Sequence, residues 1–137
     1  EMKVNKKELE EIKGGKESIL LIDDEVSITT MLEPMLENLG YNVDAYNMSQ
    51  DALEAFRRNP DNYDLMISDM TMPNLTGVEL SDQIQKLRSG FPVIIMTGFS
   101  NNVLTSTSEK QFGIRQVVKK PLIKRDLALA IREVLNN

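Results

Sequence analysis

Four stretches of the chain carry side chains that can do chemistry, and each stands where an apolar run stops. Ile19 to Ile22 runs into Asp23-Asp24, Leu65 to Ile67 into Ser68-Asp69, Val93 to Met96 into Thr97-Gly98, and Ile114 to Val118 into Lys119-Lys120-Pro121. The chain has no His and no Cys. The usual general base, the nitrogen and sulfur metal ligands and the phosphohistidine are therefore missing, and carboxylates, hydroxyls and lysine must act instead. Three carboxylates gathered without nitrogen or sulfur donors form a hard, oxygen-rich site that suits Mg²⁺ or Mn²⁺ rather than zinc. A hydroxyl and an ammonium beside them suit the oxygens of a phosphoryl group. Singly, each residue has a plainer role: Asp69 can stabilise a turn, Asp23 and Asp24 can favour the N-terminus of the next helix, and Thr97, Lys119 and Lys120 can be solvated strand-end residues. Convergence decides between these readings, and it depends on the elements that carry the residues.

The spacing predicts five strands, each followed by a helical segment. After Ile19 to Ile22, apolar residues at Ile28, Leu32, Met35, Leu36 and Leu39 mark a helix face that stops at Gly40. Pro34 inside that pattern predicts a bend, because it removes a helical hydrogen bond. Tyr41 to Tyr46 alternates as a strand, and Ser49 is expected to cap a helix faced by Ala52, Leu53 and Phe56 that ends before Pro60. Tyr63 to Ser68 is the strand feeding Asp69, and Pro73, Asn74 and Gly77 then require a loop. Thr76 caps a helix carrying Leu80, Ile84 and Leu87. Pro92 to Met96 and Ile114 to Val118 are the last strands, separated by a polar segment from Ser100 to Lys110 with little but Val103 and Leu104 to pack. Leu127, Ile131, Val134 and Leu135 face the final helix.

Alternating β and α elements of this length give a parallel sheet between helices. The unbroken apolar character of the first, third and fourth strands fits burial on both faces. In such a sheet the carboxyl ends of all strands share one edge, where the ligand crevice lies. Asp23, Asp24, Asp69, Thr97 and the Lys119-Lys120 pair are thereby brought together.

With 137 residues, 41% hydrophobic and 27% charged, the chain fits one domain with a single core. Residues 1–17 mix Lys and Glu and break at Gly14-Gly15, as a linker or expression remnant would. Residues 18–137 form the domain. A net charge of -5 without a basic stripe argues against nucleic acid as a partner. The apolar runs are too short to span a bilayer and the charged start is no signal peptide, so the expected location is the cytoplasm, without direct membrane contact. Oligomeric state is left open.

Leu21-Ile22-Asp23-Asp24-Glu25, Ser68-Asp69-Met70-Thr71-Met72-Pro73 with Gly77, Pro92-Val93-Ile94-Ile95-Met96-Thr97-Gly98, and Lys120-Pro121 follow one another at the predicted strand ends. In that order they resemble the receiver domain of two-component response regulators, over Ser18 to Asn137. The resemblance implies the doubly wound, flavodoxin-like fold, a five-stranded parallel sheet of order 2-1-3-4-5. It also implies Asp69 as phosphoacceptor, Asp24 as a direct metal ligand, Asp23 as a ligand through water, and Thr71 as donor of a backbone carbonyl to a Mg²⁺ or Mn²⁺ ion. Thr97 would hydrogen-bond the phosphoryl oxygens and Lys120 would pair with them. Lys120 rather than Lys119 is selected because the family's lysine directly precedes proline, across a bond that is typically cis.

The phosphoryl donor implied is a histidine kinase or a histidine phosphotransfer domain. It lies outside this chain, which has no His, and self-phosphorylation and self-dephosphorylation chemistry would accompany it. Many receivers carry Tyr or Phe three residues before the lysine, where this chain has Val117. Met70 to Pro73, Thr97 to Ser100 and the Gly14-Gly15 break look most like receivers appended to hybrid sensor histidine kinases, with a free-standing receiver as the competitor. Two rivals come from other classes. A Mg²⁺-dependent small-molecule phosphohydrolase would use an aspartyl nucleophile, but the second Asp such enzymes place two residues on is here Thr71. A non-phosphorylated interaction module would need none of the acidic set.

Overall fold

Aliphatic and β-branched runs fit a pleated surface buried on both sides, and in the computed structural model, which describes residues 12–98 and 113–136, they become the strands. β1 (Ser18–Ile22), β2 (Asn42–Tyr46), β3 (Leu65–Asp69), β4 (Val93–Thr97) and β5 (Ile114–Lys119) form one all-parallel sheet in the order β2-β1-β3-β4-β5. The helices are α1 (Val26–Asn38), α2 (Ser49–Arg58), α3 (Gly77–Leu87) and α4 (Lys124–Leu135), with a short 3₁₀ turn at Pro60–Asn62. The expected helix between residues 100 and 110 lies outside the described residues.

Successive strand residues point to opposite faces, and this divides the core in two. Leu20 and Ile22 of β1 pack with Phe56 of α2 and Leu80 and Ile84 of α3. Ile19 and Leu21 pack on the other face with Leu32 and Leu36 of α1 and Ile131 of α4. β3 and β4 are buried at every position, whereas β2 and β5, at the sheet edges, are only partly so. The three central strands lack a polar face for this reason, and their sequences show no alternation.

Element ends differ from the sequence pattern in ways the contacts explain. β3 begins at Leu65 rather than Tyr63, because the Tyr63 ring stacks on Phe56 with centroids 6.1 Å apart and its hydroxyl donates to Asp44 at 2.6 Å. Pro34 sits inside α1 on an exposed face, where its missing N–H cannot reach back to Thr30. Thr76 caps α3 as expected: its hydroxyl accepts from the Glu79 N–H at 3.1 Å while the Glu79 carboxylate accepts from the Thr76 N–H at 2.9 Å. Ser49 does not cap α2. It is the first helical residue, Met48 holds the cap position without a side-chain bond, and the Ser49 hydroxyl instead bridges Pro73 and Leu75.

Candidate functional site

The parallel register carries the chemistry-bearing residues to one edge. Asp69 ends β3 opposite Met96, and Thr97 ends β4 opposite Lys119. Asp23 follows β1, its N–H donating to the Tyr46 carbonyl at 3.1 Å, and Lys120 follows β5, its N–H donating to the Thr97 carbonyl at 2.7 Å. The Lys120–Pro121 bond is cis. Each of Asp23, Asp24 and Asp69 offers a carboxylate oxygen, and these oxygens lie within 4.8 Å of one another. Lys120 Nζ stands 2.8 Å from Asp23 Oδ2 and 3.0 Å from Asp69 Oδ1.

Above them opens a cleft of about 280 Å³ lined by Asp24, Asp69, Thr71, Thr97, Gly98 and Lys120. Glu25 and Met70 line it too; both stand in the strand-end motifs, where the sequence assigns them no role. Asp23 lies beneath the cleft with its side chain fully buried; Oδ1 accepts from the Glu25 N–H at 2.9 Å and Oδ2 from Lys120. Asp24 is exposed. Lys119 points away into solvent-exposed surface, as its position beside the proline-linked lysine suggests. Val117 packs against the core face that α2 and α3 cover.

Burial raises the Asp69 carboxyl above the ordinary carboxylate range; Asp23 and Asp24 push the same way and Lys120 opposes them. Burial works against the Lys120 ammonium, but its hydrogen bonds to Asp23 and Asp69 outweigh it and hold the lysine above its usual value. Three carboxylates against one ammonium leave an excess of negative charge in a set of oxygen donors. That set fits a small, hard divalent cation. A proton and a cation compete for Asp69, so raising its proton affinity weakens metal binding in acid. Mg²⁺ affinity is expected to fall by about tenfold for each pH unit below the raised Asp69 value, and to level off above it, when followed by calorimetry across the acid range.

Gly77 fixes α3 against the phosphoacceptor candidate. Its N–H donates to the Met70 carbonyl at 2.8 Å, and a Cβ there would fall 2.4 Å from the Asp69 carbonyl oxygen and 3.0 Å from Ile95. Gly77→Ala is expected to cost about 2 kcal/mol by overpacking, read as a lower urea midpoint, and to displace the backbone that carries Asp69. Two further residues hold the edge together, Asn47, which the sequence pattern does not single out, and Ser49, which it marks only as a helix cap. Asn47 bonds the Asp23 carbonyl, and Ser49 bonds the loop after Asp69, across 24 to 26 residues of chain.

Known proteins resemble this chain in sequence and in fold. "Probable transcriptional regulator ycf27" of Porphyridium aerugineum is 35% identical over 120 residues, which are 88% of this chain and 48% of that protein. "Transcriptional regulatory protein ZraR" of Klebsiella oxytoca is 33% identical over 122 residues, 89% of this chain and 27% of that protein. The chain thus spans half or less of the length of these curated relatives. A response regulator receiver domain protein from Clostridium thermocellum superposes with a TM-score of 0.81 at 32% identity, covering 88% of this chain and 94% of that one. The receiver domain of a sensor histidine kinase from Pseudomonas aeruginosa PAO1, solved with a magnesium ion in its active-site cleft, gives 0.75 at 25% identity and covers 90% and 100%. Residues 19–132 match the family described as Response regulator receiver domain. That span runs from the first strand into the last helix and takes in every loop that bounds the cleft, so the chain belongs to the response regulator receiver domain family.

Proposed function

We propose that this receiver takes a phosphoryl group from a phosphohistidine on another domain or protein onto Asp69, with Mg²⁺ as cofactor. The observation that carries the reading is Lys120, whose ammonium touches both the buried Asp23 and Asp69 and so stands where a phosphoryl group on Asp69 would need a cation. In the transfer an Asp69 carboxylate oxygen attacks phosphorus, the P–N bond to the imidazole breaks, and the departing nitrogen takes a proton from solvent. The product is an aspartyl phosphate. Asp24, Asp69 and the Thr71 carbonyl would hold the cation directly and Asp23 through water, and the cation would neutralise charge on the transferring oxygens. Thr97 supplies a hydroxyl to those oxygens. Gly98 leaves the approach open, since a Cβ there would meet nothing within 4 Å among the described residues. Water attacking the same phosphorus returns the domain to its starting state, which is the self-dephosphorylation chemistry.

The functional unit is residues 18–137, with residues 1–17 as a linker or expression remnant, and its partner is a histidine kinase or histidine phosphotransfer domain. We place it in the cytoplasm; no helix among the described residues is long and apolar enough to cross a membrane. Attachment to a hybrid sensor histidine kinase is the favoured context, supported by the Met70 to Pro73 and Thr97-Gly98 sequences and by the likeness to a kinase-borne receiver. The test is direct. The protein is incubated with phosphoramidate and Mg²⁺, the acyl phosphate is reduced with borohydride, and peptides are mapped by mass spectrometry. Modification at Asp69 that requires Mg²⁺ is the expected result; modification elsewhere, or none, would overturn the reading.

A further inference from the structure

The connection between β2 and α2 is bonded to both loops that carry the carboxylates. The Tyr46 carbonyl accepts from the Asp23 N–H at 3.1 Å. Asn47 Nδ2 donates to the Asp23 carbonyl and to Thr29 Oγ1, each at 2.9 Å, and Thr29 Oγ1 in turn donates to the Val26 carbonyl at 3.1 Å. Ser49 Oγ, two residues on, donates to the Pro73 carbonyl and accepts from the Leu75 N–H, each at 3.3 Å. β2 is the edge strand beside β1, and β1 separates it from β3. Its own backbone ladder cannot reach the loop after Asp69, so the Ser49 side chain makes that connection.

These side chains do not serve their own helix. Polar residues just before or at a helix start ordinarily satisfy its free N–H groups, yet α2 has no side-chain cap and neither does α1. Asn47 and Ser49 are turned across the sheet edge instead. The need is electrostatic: Asp23, Asp24 and Asp69 repel one another, and repulsion between two loops spreads them unless something holds them. An amide and a hydroxyl do so without adding charge. Asn47 and Ser49 hold the backbone of the loops that carry the carboxylates, and loss of a group that fixes metal ligands from behind typically costs about 10–100-fold in metal affinity.

We infer that Asn47 and Ser49 are positioning residues for the cation site, bracing the Asp23-Asp24 loop and the loop after Asp69 at the separation a divalent ion requires. The inference rests on the phosphoacceptor reading of Asp69, and the experiment separates the two. Mg²⁺ binding to wild type, Asn47→Ala and Ser49→Ala is measured by calorimetry, and the rate of phosphoryl acceptance from phosphoramidate is followed against Mg²⁺ concentration. Each variant is expected to bind Mg²⁺ about tenfold more weakly, and to need correspondingly more Mg²⁺ for half-maximal rate while reaching the wild-type maximum. Thr29→Val removes only the hydroxyl under Asn47 and keeps the side-chain shape; it is expected to give a smaller loss of the same kind, and it serves where an alanine variant folds poorly. Variants with lower urea midpoints but wild-type Mg²⁺ affinity would overturn the inference alone, as would a lower maximal rate with an unchanged Mg²⁺ requirement. A wild-type protein that binds no Mg²⁺ would remove the phosphoacceptor reading, and this one with it.

Discussion

Replacing Asp69 by Asn is expected to abolish phosphoryl acceptance while making the metal-free domain more stable. The amide keeps the shape of the carboxylate but is a far weaker nucleophile, so the rate from a small phosphodonor should fall by at least about a thousandfold, roughly 4 kcal/mol of barrier. The stability effect has the opposite sign. Burial, aided by Asp23 and Asp24 and opposed by Lys120, raises the Asp69 carboxyl in the folded state. The fold therefore favours the protonated form, and ionising Asp69 costs stability as pH rises from the ordinary carboxylate range, about 3.9, through the raised value. Asn carries no such cost. In EDTA the variant should melt above wild type at neutral pH, and the advantage should vanish below about pH 4, where both side chains are neutral. Saturating Mg²⁺ should reverse the order, because only wild type offers the third carboxylate. Phosphorylation of the variant at the wild-type rate, or a melting difference that ignores both pH and Mg²⁺, would remove Asp69 from the site.

The sheet and its reactive edge were legible because both follow from local pattern. An unbroken run such as Met66-Ile67 or Val93 to Met96 can be buried on both faces only in a central parallel strand, and the last residues of such strands must share an edge. Asp23, Asp24, Asp69, Thr97 and the Lys119-Lys120 pair could thus be brought together from order and spacing alone, whereas the choice of Lys120 rested on the resemblance to the receiver family. What failed was anything decided by a distant partner. Ser beside a helix start reads as a cap, yet the Ser49 hydroxyl bonds Pro73 and Leu75, 24 and 26 residues away. Asn47 carries no local pattern at all.

Gly14-Gly15 shows the same limit from the steric side. A glycine pair reads as a break in the chain, but here it is packed: a Cβ on Gly14 would lie 1.6 Å from the Leu39 carbonyl oxygen, and the Gly15 carbonyl would meet a Cβ on Gly40 at 2.4 Å. Gly40 itself holds φ at 105°, which side-chain-bearing residues rarely adopt. Arg132 of α4 closes over this corner, pairing with Glu17 at 2.5 Å and lying 5.8 Å from the Tyr41 ring. The requirement for glycine is visible only once Leu39 and Gly40 stand opposite. The residues just ahead of β1 thus enter the domain through a packed corner at the end of the sheet remote from the cleft, beside α4.

Lys120→Met should be the most damaging change to the metal-free fold. Methionine keeps much of the apolar stem but removes the ammonium that lies 2.8 Å from Asp23 and 3.0 Å from Asp69. The Asp23 side chain has no exposed surface where water could replace the ammonium, and its other oxygen already accepts from the Glu25 N–H. A buried carboxylate stripped of the ammonium paired with it costs about 3–5 kcal/mol, measured as a drop in the urea midpoint in EDTA. The wild-type contribution has a defined pH window: hydrogen bonds to Asp23 and Asp69 raise the lysine despite burial, so its stabilisation is complete below the unfolded value of about 10.4 and is lost as pH rises through the higher folded value. Mg²⁺ supplies positive charge to the same carboxylates and should recover part of the loss, which separates an electrostatic role from packing, since a packing defect would be equal with and without the ion. Phosphoryl acceptance should fall by about a hundredfold or more even at saturating Mg²⁺, because the ammonium also faces the charge that develops on the transferring oxygens. Lys119→Met is the matched control; that side chain is exposed, and its replacement should change stability by no more than about 0.5 kcal/mol. Equal losses from the two substitutions would mean that Lys120 acts only as a surface charge and that the cleft has no cation of its own.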